Sequence, residues 1–64
     1  MQVRMLQPVH VLGTAIKLEE GRTYRATAAT NQPGYKEKGL VFVEDPKTHD
    51  SALCTLGDEC ERVK

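Results

Sequence analysis

Two apolar runs organise the second half of this chain. Leu40-Val41-Phe42-Val43 and Ala52-Leu53-Cys54-Thr55-Leu56 flank a polar segment that holds Asp45, Pro46, Lys47, Thr48, His49 and Asp50. Val and Phe fit a pleated, half-buried surface, and Pro46 lacks the N–H that a ladder position needs, so it belongs to the connection. The pattern predicts a β-hairpin with a long loop over residues 39–56.

The remaining segments are short and also strand-like. Residues 2–6 alternate, with Val3 and Met5 on one face and Gln2, Arg4 and Leu6 on the other, until Pro8 interrupts. Val9–Leu12 resumes the extended pattern, Gly13-Thr14 marks a bend, and Ala15–Leu18 alternates into a turn at Glu19-Glu20-Gly21. Arg22–Ala28 reads as a strand with Tyr24, Ala26 and Ala28 inward and Arg22, Arg25 and Thr27 more exposed. Residues 29–39 read as a loop. Within it Pro33-Gly34 suits the centre of a type II turn, and one helical turn over Tyr35–Lys38 is stopped by Gly39. Gly57-Asp58-Glu59 gives a tight turn before a closing strand, Cys60–Val63.

Five or so short strands, one long early connection and a tight turn before the last strand predict an all-β protein. The expected form is a small antiparallel five-stranded SH3-like barrel or a strongly curled sheet, since closure limits the exposed edges of so small a sheet. Val3, Met5, Ile16, Leu18, Tyr24, Leu40, Phe42 and Leu53 are the expected core.

Val3-Arg4-Met5-Leu6-Gln7-Pro8-Val9, followed by Leu18-Glu19-Glu20-Gly21-Arg22-Thr23-Tyr24, resembles the opening of small phage- and prophage-encoded β-barrel proteins of unassigned role. Those chains share a first strand, a Pro-Val step and a glycine turn into the next strand. The likeness covers roughly the first third of the chain and departs after Tyr24, where the segment to Pro33 is small, Thr-rich and interrupted. It implies a bacterial or phage accessory protein and carries no residue-level role.

At 64 residues the chain is one domain. A chain of this size buries only roughly 60% of the surface that its unfolded form exposes. With one Phe, two Tyr and no Trp, few large side chains are present to fill a core. A deep, water-excluding catalytic pocket is therefore not expected, and a binding surface is the easier function to build. Nine cations and nine anions cancel, but residues 1–38 carry six of the cations and three of the anions, and residues 39–64 the reverse. Such polarity marks a nucleic-acid face or a head-to-tail contact only if the halves do not interleave in space. No apolar run approaches a membrane span, and no secretory or transit leader precedes the first strand, so a complete, cytoplasmic chain is expected, without a membrane role.

Candidate chemistry is sparse. His49, Cys54 and Cys60, with His10 far upstream, lack the close-spaced Cys pair that structural zinc sites use, so no metal or other cofactor is expected. Two cysteines are too few for a secreted disulfide framework. If they flank the Gly57 turn they could lie opposite one another in a ladder, and the acidic Asp58, Glu59 and Glu61 around them would keep the thiols protonated and inert. Ser51, His49 and Asp50 are turn formers in a polar loop, and adjacency in sequence does not build a triad. The carboxylate pairs Glu19-Glu20 and Glu44-Asp45 stand beside turns and are expected to stay solvated. The chain reads as a non-enzyme.

Nucleic-acid binding has one set of candidate contacts. Tyr24 lies between Arg22 and Arg25, and Tyr35 lies next to Lys36 and Lys38, an aromatic-and-basic pattern that single-strand-binding barrels use. The simpler reading makes Tyr24 a core ring and Tyr35 a loop anchor, and a pI near 6.7 gives phosphates little long-range attraction. The expected function is a protein-interaction or self-association module, with single-stranded DNA or RNA binding as the alternative.

Overall fold

The computed structural model describes residues 1–63, so Lys64, one of the counted cations, lies outside the described residues. The strands are β1 (Gln2–Met5), β2 (Val9–His10), β3 (Lys17–Leu18), β4 (Thr23–Ala28), β5 (Leu40–Glu44), β6 (Ser51–Thr55) and β7 (Cys60–Val63), with one helical turn, α1 (Tyr35–Lys38). Five of them form an antiparallel sheet in the order β6-β5-β4-β1-β7, and β2 and β3 pair separately as a small arm. The fold is all-β.

Among the described residues hydrogen bonding does not close the sheet into a barrel, since β6 and β7 remain its two edges. The sheet does curl. Cys54 on β6 and Cys60 on β7 enter the same buried cluster, and Leu56 bridges to Cys60. A flat sheet with neighbouring strands about 4.8 Å apart would keep its two edges well separated. The inner face of the curl, together with Ile16 and Leu18 of the arm, encloses the core; Val9, Val11 and Leu56 pack at its margin.

Local signals explain most of the boundaries. Gly34, at φ 71° and ψ 21°, follows Pro33, and the Tyr35 N–H bonds the Gln32 carbonyl, which is the type II turn expected there. Gly39, at φ 69°, ends α1 by donating its N–H to the Tyr35 carbonyl. At the arm's tip the Thr14 N–H reaches the Val11 carbonyl at 3.1 Å with Gly13 at φ 81°.

Three expectations about the strands and their pairing need correction. The first is the phase of the hairpin. Leu40 and Phe42 are half-buried and Leu53 is 44% exposed, whereas Val41, Val43, Ala52 and Cys54 face the core. Both alternating sets of β5 contain apolar residues, but the set with Phe42 also holds Glu44, and the β6 set with Leu53 also holds Ser51 and Thr55. Within the two strands, turning Val41, Val43, Ala52 and Cys54 inward buries no charge or hydroxyl. The second is the strand end at Ala28, which is exposed although Tyr24 and Ala26 point inward. The third is the cysteine pair: Cys54 stands opposite Val41 and Cys60 opposite Met5, on the two edge strands, so they are not ladder partners of one another.

Candidate functional site

The outer face of the sheet has no covering layer among the described residues. Strand alternation and register put Gln2, Arg4, Thr23, Arg25, Thr27, Leu40, Phe42, Glu44, Ser51, Leu53 and Glu61 on it. Most of that surface is polar, and Arg4 is paired with Glu61 across β1 and β7. Its main apolar feature is the cross-strand pair Phe42–Leu53, with Leu40 beside it, while Val63 stands apart opposite Gln2. One step along the β4–β5 register, Arg25 stands opposite Glu44. These two line a shallow groove of about 110 Å³ with Thr27, Phe42 and Ser51, and a wider depression of about 340 Å³ with Gln2, Thr23, Pro46 and His49.

The edges of the sheet differ. β7 carries Glu61 and Arg62, charges that discourage pairing with another chain. β6 reads Ser-Ala-Leu-Cys-Thr and has neither a charge nor a proline. Bonds from the Asp45 N–H to the Asp50 carbonyl and from the Leu56 N–H to the Gly39 carbonyl, each 2.8 Å, fix which β6 residues face β5. By alternation Ala52 and Cys54 do, and Ser51, Leu53 and Thr55 turn their backbone groups to the open edge. Thr55 is already satisfied there. Its N–H donates to Glu59 Oε1 at 2.9 Å, and its carbonyl accepts from the N–H groups of Asp58 and Glu59. The edge is therefore open at Ser51 and Leu53.

The basic and aromatic candidates do not converge. Tyr24 is a core ring, 5% exposed, whose hydroxyl accepts the Glu19 N–H at 2.8 Å. Arg22 lies over that ring, 5.8 Å from its centroid, and also faces Glu19 at 3.6 Å. Arg25 projects from the opposite, outer face. Tyr35, half-buried, and the exposed Lys36 and Lys38 sit on α1, beyond the other end of β4 from Arg22. The charge polarity of the sequence likewise interleaves, because β1 pairs with β7 and β4 with β5.

Asp45, expected to stay solvated beside its turn, is instead buried and carries structural weight. Asp45 is 2% exposed, and its carboxylate accepts the backbone N–H groups of Lys17 and Lys47, each at 2.9 Å. Those bonds hold its pKa below the ordinary carboxylate value. The signal available in the sequence was Asp at the first position of Asp45-Pro46-Lys47-Thr48, where its side chain caps the N–H two residues on.

The thiols are buried and unbonded to one another. Burial, followed by the charge of Glu59 and the neighbouring Cys60, pushes Cys54 up to about 12, and burial with Glu59 pushes Cys60 up as well. Among the described residues no three His, Cys, Asp or Glu side chains gather as a metal site would require, and no helix is long and apolar enough to cross a membrane. No family model, curated protein or solved structure matches the chain.

Proposed function

We propose that this chain is a non-catalytic protein-interaction module, an SH3-like small fold that associates through the β6 edge and the adjoining outer face of its sheet. Three features support the fold assignment: the β4-β5-β6 meander, the first strand paired with the last, and the long early connection folded back as the β2–β3 arm. The observation that carries the function is the pair of unpaired backbone positions Ser51 and Leu53 on an uncharged edge, beside the outward-facing Phe42–Leu53 pair. Such an edge is a template for another strand.

The three groups with shifted pKa support a non-enzyme, since Asp45 moves down and both thiols move up, away from the neutral range where acid–base catalysts and nucleophiles work. The scattering of Arg22, Arg25, Tyr35, Lys36 and Lys38 over different faces and ends favours a protein partner over a nucleic acid, which would need a continuous basic track.

Sedimentation at low and high salt, beside titration with a mixed-sequence single-stranded oligonucleotide, tests this reading. The expected result is association that persists in high salt, because backbone and apolar contacts are little screened, and no oligonucleotide binding. Oligonucleotide binding that falls steeply with salt and is lost in Lys36→Ala/Lys38→Ala would overturn it in favour of a nucleic-acid adaptor.

A further inference from the structure

We infer that β6 pairs with the β6 of a second copy of this chain, antiparallel about a two-fold axis at Ala52, so that Ser51 of each copy faces Leu53 of the other. This deepens the interaction reading above and rests on it.

The register follows from what the edge leaves available. In antiparallel pairing the residues that exchange hydrogen bonds must both turn their N–H and C=O outward, which on β6 restricts the choice to Ser51, Leu53 and Thr55. A two-fold axis at Leu53 would set Ser51 against Thr55, whose N–H and carbonyl are already taken by the Asp58–Glu59 turn. An axis at Ser51 would set Leu53 against His49, which sits at φ 62° and donates its N–H to the Asp45 carbonyl. Only the axis at Ala52 gives both Ser51 and Leu53 an open partner, and each Ser51–Leu53 pair then exchanges both of its bonds.

The side chains agree with that register. Ala52 meets its own copy at the axis, where small side chains allow close approach. No charge on Ser51–Thr55 meets a like charge across the axis, and the formal net charge of the chain is zero. On the outer face Leu53 of one copy becomes the diagonal neighbour of Leu53 of the other, so the two Phe42–Leu53 pairs join into one apolar strip. That strip is the occupant of surface that a lone copy leaves in water. The β7 edge, with Glu61 and Arg62, offers no equivalent.

Residue-resolved amide hydrogen exchange at low and high protein concentration tests the pairing. The Ala52 and Cys54 amides bond to β5 and stay protected at both concentrations, whereas protection of the Ser51 and Leu53 amides should rise by about tenfold or more as copies associate. Leu53→Lys, at a position already exposed, should keep the fold and abolish association. Leu53→Pro should do the same, because the N–H it removes has no partner within one copy. A dimer whose Ser51 and Leu53 amides exchange as fast as in the monomer would overturn the β6 pairing and leave the interaction reading standing. A chain that stays monomeric at the highest concentration would overturn the pairing as well. Oligonucleotide binding would remove the underlying reading itself.

Discussion

The Asp45 carboxylate accepts the backbone N–H of Lys17 at 2.9 Å across 28 residues of sequence, and so ties the β5–β6 loop to the β2–β3 arm. The arm covers the core with Ile16 and Leu18, but β2 and β3 pair only with one another. One carboxylate therefore helps to hold a lid whose strands share no backbone ladder with the sheet.

That relationship predicts a pH dependence. The folded pKa of Asp45 lies below its ordinary value of 3.8, so its contribution to stability is complete above that value and is lost as pH falls through the folded pKa. Asp45→Asn should melt below wild type at neutral pH, and the gap should narrow as pH drops below 3.8. Thermal melts of the two proteins between neutral and strongly acid pH measure this. A gap that stays constant would mean that Asp45 acts through shape alone.

The observed hairpin phase separates Leu18 from Phe42, both of which the sequence placed in the core. Leu18 is fully buried, and Leu18→Ala should cost about 2–5 kcal/mol. Phe42 lies half-buried on the outer face, and Phe42→Ala should cost only about 1–2 kcal/mol through its lost cross-strand and area contributions. Urea unfolding of both variants gives the comparison. Equal losses would put the Phe42 ring in the core after all.

The thiols should be silent in the native state. Cys54 and Cys60 are each 0% exposed, so neither should react with a thiol reagent at neutral pH until the chain unfolds. A raised thiol pKa also has a stability consequence of definite sign. The contribution of Cys54 is complete below 9.0 and is lost as pH rises toward about 12, because only the unfolded chain ionises easily in that window. Cys54→Ala should flatten the alkaline decline in melting temperature. Rapid native labelling would contradict the burial.

Glycine substitutions should separate conformational from steric cost. Gly39 and Gly57 both hold positive φ, at 69° and 89°, and an alanine in either pays about 1–2 kcal/mol for the left-handed conformation. At Gly39 the new Cβ also meets Leu56 Cβ at 3.3 Å, whereas nothing lies within 4 Å at Gly57. Gly39→Ala should therefore lose more stability than Gly57→Ala by chemical denaturation. The reverse order would show that Leu56 gives way freely.

Much of the fold was legible in the chain because local rules decide it. Pro33-Gly34 specifies its turn, Gly39 stops the single helical turn, and the Gly57 turn delimits β7, since each needs a backbone conformation that few residues adopt. Val3, Met5, Ile16, Leu18 and Tyr24 were readable as core, because a polar residue adjoins each of them. The candidate site was hardly legible. Its basic and aromatic residues are neighbours in sequence, but alternation sends Tyr24 inward and Arg25 outward, and the length of β4 separates Arg22 from α1.

By itself the sequence determined an all-β chain, the places where it turns and the face that β1 buries, all set by side-chain period and backbone preference over a few residues. Tertiary structure alone decided that Phe42 and Leu53 face outward, that Asp45 is buried on the arm's backbone, and that β6 is an edge open at Ser51 and Leu53. The reason is physical. With apolar residues in both alternating sets of β5, the phase depends on which choice spares Glu44, Ser51 and Thr55 from burial. The open edge depends on strand order, which is settled only when β1 takes β4 on one side and β7 on the other.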